Sequence, residues 1–468
     1  MRQMLCSCAA LVILGCACRA DQPAASPETL IRLNVYPASV PKPALRYVLL
    51  PELKEMNPGN PIQNYLKCFM EQQRFFFDKE AFDRREKLLT MPLKQLPAQQ
   101  LEDYGGVALR QADWAARLDT PDWEILLKLK TDGLGVLLPD VQQLRALGSA
   151  LKVRFRAEVA MSRFDDAVRT AKTMLAMSRH LSEHPTFIGN LVGIAMVTLA
   201  IGPLEEMSEQ PGSPNLFWAL TYLPTPFVRL DKGAQGERVW LGPEFGGLDN
   251  TAPMNAEQLK RFIAHMDKLF GDGKPRKPGE GLQAWLDART KDEARVSAAR
   301  RRLVENGLAE GLVQQFPPDQ VLLLDEKREF EARYDDLMKL LYVPIWQAEA
   351  TDWDKRPKEP ALFADAFVPA VAKVRRAQVR VDQRIALLRH VEALRLYASE
   401  HDGTLPGKLA EIPVPLPDDP FTGKPFRYGL SGNTAHLRGS PPPGMEKEPS
   451  FNVHYEITVQ QGEEKGQK

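Results

Sequence analysis

Cysteine is nearly missing from the body of this 468-residue chain. Four of its five cysteines, Cys6, Cys8, Cys16 and Cys18, crowd into the start of the chain, and only Cys68 lies further on. One thiol excludes an internal disulfide framework and any Cys-x-x-Cys pair in that body. Cys68 stands in Tyr-Leu-Lys-Cys-Phe-Met, an apolar helical context without a neighbouring His, and is expected to be a buried, inert thiol. Net charge is missing too. Sixty-one basic residues balance sixty-one acidic ones, so no whole-molecule pull toward nucleic acid or an anionic membrane is expected. A phosphate-cradling glycine loop and a Gly-x-Ser-x-Gly elbow are also lacking, which narrows the enzyme classes open to the chain. No cofactor is implied.

What is present begins with a secretory pattern. Arg2 supplies a positive start, and Leu5–Leu14 is an apolar core too short to span a bilayer. Two processing readings stand side by side for residues 1–20. Cys18-Arg19-Ala20 places small residues where signal peptidase reads before Asp21, and Ile13-Leu14-Gly15-Cys16 resembles a lipobox, with Cys16 as the lipidated residue. Either places the protein outside the cytoplasm, in the periplasm, in the cell envelope or secreted. A lipid anchor would be its one contact with a membrane.

Proline spacing then divides the chain. Residues 21–61, with Pro37, Pro41, Pro43, Pro51, Pro58 and Pro61, are expected to form an extended lead-in with little regular structure. Residues 62–230 carry helical periodicity. Leu144, Leu147, Leu151, Phe155 and Val159 mark one helix, Ser162-Arg163 a tight turn, and Phe164-Asp165-Asp166-Ala167 the start of a second. The span 144–184 resembles one degenerate tetratricopeptide-like hairpin, in which an aromatic and a small Ala let two helices approach. Phe187–Ile201 is almost wholly apolar and contains Gly189-x-x-x-Gly193. Fifteen residues bearing Asn190 and ending before Gly202-Pro203 predict a buried core helix rather than a membrane span. Residues 231–345 predict a second helical region with glycine-rich loops at 231–250 and 271–281. A polar linker at 346–360 and a polar tail at 461–468 flank the last segment, 361–460.

That last segment is the most structured in pattern. Phe367, Val371, Val374, Val381, Ile385 and Leu388 make one helical stripe, continued by Val391, Leu394 and Tyr397. The helix is expected to stop at Gly403. Strands are expected at 425–430 and 434–438, and Phe451, Val453, Tyr455, Ile457 and Val459 alternate with Asn452, His454, Glu456 and Thr458. With Tyr397, Gly403, Pro406, Asp419, Pro420, Gly423, Pro425 and Tyr428, the region 367–459 resembles the globular domain of a type II secretion major pseudopilin. The resemblance implies a long helix covered by a small antiparallel sheet, and an assembly module rather than a catalytic one. The polar residues before Phe367 depart from that family, whose members need an apolar anchor there. The expected fold is mainly α, with helical hairpins in a degenerate solenoid-like body and a small C-terminal α+β module.

Three clusters carry potential chemistry. His180-Leu181-Ser182-Glu183-His184 matches the His-x-x-Glu-His pattern of inverted zinc peptidases, with His180 and His184 as ligands and Glu183 as base. Pro185 follows at once, so the preferred reading is that of exposed helix-end residues interacting with the helix dipole. Asp402, Asp418 and Asp419 could contribute to a calcium site, but Asp-Gly and Asp-Asp-Pro are turn chemistry and two or three carboxylates fall short of a calcium shell. Lys373, Arg375, Arg376, Arg380, Arg384, Arg389 and Arg395 make the last helix basic, expected as a solvated face or one paired with acidic neighbours. No metal, catalytic residue or nucleic-acid partner is favoured. The expectation is an exported or lipid-anchored envelope protein that binds or scaffolds a protein or envelope component. The enzyme alternative is a metal-dependent hydrolase using His180, Glu183 and His184.

Overall fold

The computed structural model describes residues 28–70, 72–270, 281–351 and 361–460, the side chains of 367–370 excepted. The leader with Cys16, the loop 271–280, most of the expected linker and the polar tail lie outside the described residues. Seventeen α-helices and four strands make up the described chain. The fold is mainly α with a small α+β module at its C-terminal end.

Strand β1 (Thr29–Val35) comes first. Short helices α1 (Pro61–Met70), α2 (Gln73–Phe77), α3 (Lys79–Thr90), α4 (Gly106–Ala115) and α5 (Leu126–Asp132) follow. Three long helices come next: α6 (Pro139–Ala160), α7 (Phe164–Ser182) and α8 (Phe187–Ser208). The α6–α7 turn is made by Ser162 at φ 56°. Asp165 and Asp166 in the first turn of α7 and Arg179 in its last match the helix dipole. Helix α8 packs on both. Thr186 caps it by accepting from the Gly189 amide at 3.2 Å. It is long and apolar enough to cross a membrane, but two thirds of its most apolar window is buried inside the protein.

A second group comprises α9 (Phe217–Thr221), α10 (Asp231–Phe245), α11 (Ala256–Phe270), α12 (Leu282–Arg289), α13 (Glu293–Glu305), α14 (Glu310–Val313), α15 (Pro318–Leu340) and α16 (Ile345–Glu349). Then α17 (Leu362–Glu400) runs for 39 residues, about 58 Å at 1.5 Å per residue. Its Val371 and Val374 belong to the apolar core formed with α10–α15. Its Ala377, Val381, Ile385, Leu388, Val391 and Leu394 belong to the larger core that includes α6–α8 and the sheet. One helix therefore joins both cores.

Strands β2 (Arg427–Ser431), β3 (Thr434–Arg438) and β4 (Val453–Val459) complete a sheet of order β1-β4-β3-β2. The β2–β3 and β3–β4 pairs are antiparallel, and β1 adds in parallel to β4. Val453, Tyr455, Ile457 and Val459 face the core shared with α17.

Four expectations are corrected. The lead-in contains β1, because Ile31, Leu33 and Val35 alternate with polar residues in the proline-free stretch between Pro27 and Pro37. Its partner strand stands more than four hundred residues away, so no local turn announced the pair. The glycine-rich stretch at 231–250 is largely helix α10. There Gly236 permits close packing, since a Cβ would stand 1.9 Å from the Pro185 carbonyl oxygen. Trp240, Leu241 and Phe245 supply its buried face. Helix α8 runs through Pro203 to Ser208, with Leu204 and Met207 buried in the same core. The expected linker begins as helix α16, whose Ile345 and Ala348 are buried.

Candidate functional site

The His-x-x-Glu-His residues are held apart by different partners. His180 is buried against Tyr65, whose hydroxyl stands 3.0 Å from its Nδ1, and it makes a further hydrogen bond to the backbone of Leu118. His184 is 1% exposed. Its Nδ1 lies 2.9 Å from the Thr186 hydroxyl and its ring packs edge-on against Trp123, with centroids 4.5 Å apart. Gly189 makes room for that ring, because a Cβ there would come 2.2 Å from the His184 Cγ. Burial lowers the His180 pKa to about 4 and that of His184 to about 3, so both rings are neutral at pH 7. Glu183 turns outward to Lys232 at 2.5 Å. The expectation of an exposed, fraying helix end is therefore corrected. Helix α8 folds back over the end of α7 and covers the His184 ring, while Tyr65 of α1 covers His180.

The three aspartates are separated as well. Asp402 is exposed at φ 51° in the exit from α17, and Asp418 is exposed. Asp419 is fully buried. Its carboxylate accepts from the Ser440 amide at 2.7 Å, the Phe421 amide at 3.0 Å and the Gln383 Nε2 at 3.0 Å. Burial raises its pKa, against these hydrogen bonds, which lower it. Asp419 thus ties α17 to the loop before β2 and to the segment after β3, with its oxygens already turned toward N–H donors.

The basic residues of α17 are mostly inward. Arg376 pairs with Glu349 at 2.9 Å and Arg384 with Glu205 at 2.6 Å, while Glu205 also accepts from the Tyr455 hydroxyl. Arg395, 1% exposed, donates to Glu392, to the Tyr36 carbonyl and to Ser213. These bonds fix β1, α8 and the sheet onto α17. The paired reading of the basic helix holds for these residues, and the solvated-face reading does not.

Two clefts show the same pairing. One of about 200 Å³ is lined by Lys152, Arg156, Glu205, Glu206 and Glu209, where Arg156 meets Glu206 at 2.7 Å. The other, about 360 Å³, is lined by Arg46, Lys54, Arg117, Arg169 and Lys172 with Glu52, Glu55 and Asp165. Lys172 meets Glu55 at 2.8 Å and Lys54 meets Glu52 at 2.8 Å.

The outer face of the sheet carries a cluster not singled out from the sequence. His436 on β3 stands in register with Glu456 on β4, and Arg438 with His454. His436 Nδ1 lies 3.1 Å from His454 Nε2 and 3.9 Å from Glu456 Oε1. His454 Nδ1 lies 3.2 Å from Glu28, just ahead of β1, and Arg32 on β1 holds Glu456 Oε2 at 2.9 Å. Burial, with the nearby Arg438 charge, lowers the His454 pKa. Among the described residues this is the one group of three His, Cys or carboxylate ligands close enough to share a metal ion. The alternation of His454 and Glu456 along β4 was visible in the sequence. Their meeting with His436 depends on strand register.

Comparison with protein-family models, curated proteins and solved structures finds no match to this chain.

Proposed function

We propose that this is an exported or lipid-anchored envelope protein that binds or scaffolds a protein component there. The observation that carries the reading is the distribution of exposed apolar side chains. Met70, Phe77, Phe82, Val107, Trp114 and Leu127, all on or beside α1–α5, are roughly half-exposed or more. Large aromatic and apolar side chains left in solvent along one segment of the chain are candidates for contact with a partner, because aromatic residues and Met are enriched where proteins meet. The buried polar groups, in contrast, serve as internal ties between α17, α8 and the sheet. That combination suits a rigid body presenting a contact surface.

The C-terminal module enters the same proposal. A long helix covered by antiparallel strands β2–β4 supports the pseudopilin-like reading, in which the fold is used for assembly. The added parallel strand β1 is a departure from that plan.

Two experiments test the proposal. Mass spectrometry of the processed protein should find either an N-terminus at Asp21 or a lipid-modified Cys16. An intact Met1 in soluble cytoplasm would sink export, and an unmodified Asp21 would sink the anchor. A photo-crosslinking residue at Phe77 or Trp114, introduced in the exporting cell, should give a discrete envelope adduct that is lost when it is moved to the exposed Arg301. Adducts equal at all three positions, or none, would defeat the binding surface.

A further inference from the structure

We propose that His436, His454 and Glu456 bind a zinc-class divalent transition-metal ion on the outer face of the sheet, with Glu28 and Arg32 orienting the ligands. Two imidazoles and one carboxylate form a donor set suited to such ions, and three protein ligands leave a fourth position open. The spacing fits. Ligand atoms about 2.0–2.1 Å from a tetrahedral zinc stand about 3.3 Å from one another. Here the two facing imidazole nitrogens are 3.1 Å apart, and Glu456 Oε1 is 3.9 Å from the nearer of them.

The hydrogen bonds around the cluster point the same way. The ionised Glu28 carboxylate can only accept, so His454 donates from Nδ1 and leaves a lone pair on Nε2. His436 must then supply the hydrogen in the 3.1 Å contact. An entering metal ion takes the place of that one hydrogen, which His436 releases to solvent or carries on its Nε2 instead. Both facing nitrogens then present lone pairs to the ion. The carboxylate behind His454 is the outer partner that metal-bound histidines commonly have, fixing tautomer and ring plane. Arg32 does the equivalent for Glu456: it holds Oε2 and leaves Oε1 toward His436. Before metal enters, Arg32 and Arg438 balance the charges of Glu456 and Glu28, so the ion adds charge to a neutral cluster.

Access is adequate. The His436 and Glu456 side chains keep 22% and 25% of their surface in solvent, while His454 is almost covered. The ligands come from β3 and β4, and the orienting residues come from β1 and the residue before it. Metal affinity would therefore depend on the parallel β1–β4 pairing, and bound metal would stabilise it.

Equilibrium dialysis of the full chain against zinc chloride tests the proposal, with cobalt chloride as a spectroscopic probe. Cysteines near the start of the chain can hold metal independently, so the quantity read is the difference between parent and variant. The parent should bind one more equivalent than His436→Ala, His454→Ala or Glu456→Gln. That extra cobalt should show visible d–d bands without thiolate charge transfer. Glu28→Gln should weaken this site 10- to 100-fold, the usual effect of removing an outer partner. His454 is nearly buried, so should its variant misfold, the more exposed His436 and Glu456 positions decide the matter, with far-UV circular dichroism as the control. Equal metal content in parent, His436→Ala and Glu456→Gln would overturn the site.

Discussion

Replacing Asp419 by Ala removes the acceptor that pins the loop before β2. Two backbone amides lose their partner, that of Phe421 in a buried place and that of Ser440 in a partly buried one. Each buried donor left unsatisfied costs about 1–3 kcal/mol. The Gln383 amide suffers less, since its Nε2 also donates to the Ser440 carbonyl at 3.1 Å. Against this stands the relief of no longer burying a carboxylate whose desolvation raises its pKa. A net loss of about 2–4 kcal/mol is expected. Asp419→Asn keeps one acceptor oxygen but turns an amide toward a donor, and should lose roughly half as much. Urea unfolding followed by circular dichroism measures the loss. Tryptophan fluorescence adds a local reporter, because the Trp346 ring lies where a Cβ on Gly423 would stand, at 2.7 Å. A midpoint shift at unchanged slope is the expected form. A loss below about 0.5 kcal/mol would refute the reasoning, because the carboxylate would then not be carrying the two amides.

Three further outcomes follow from the same geometry. His184→Ala should cost about 2–4 kcal/mol in urea unfolding, from the lost Thr186 bond and the void beside Trp123, and a cost under about 1 kcal/mol would return His184 to the exposed helix end. Gly189→Ala should cost about 1–3 kcal/mol by driving a methyl into the His184 ring, and the double variant should lose less than the sum of the two, since the clash needs both groups. Simple additivity in that cycle would show that the ring is not the obstacle. Glu158, buried beside Arg154 and Thr170, has its pKa raised by desolvation from 4.5 to about 7. Its contribution to stability is full below pH 4.5 and is lost as pH rises toward 7, because the unfolded chain ionises first. Glu158→Gln should therefore flatten the decline between pH 5 and 8, and parallel pH profiles for parent and variant would contradict the assignment.

The elements legible from sequence were those whose signal is local. The stripe from Val371 to Leu394 spelled out the long helix, Ser162-Arg163 the turn between α6 and α7, and the alternation after Phe451 the strand β4. Each rests on a period of 3.6 or 2 that the backbone itself imposes. Where local cues mislead, a distant neighbour decided. Glycines that suggested a loop at 231–250 instead let α10 approach Pro185 and Asn190. Prolines after Tyr36 hid a strand whose partner lies at the other end of the chain. Pro185 suggested an exposed end for α7, yet α8 returns over it and buries His184. The cluster of His436, His454, Glu456 and Glu28 was out of reach for the same reason. Periodicity gives the face of a strand on which each residue lies. Only pairing and register bring residues from β3, β4 and the chain's beginning within bonding distance, and both are set by packing on α17 rather than by any stretch of sequence alone.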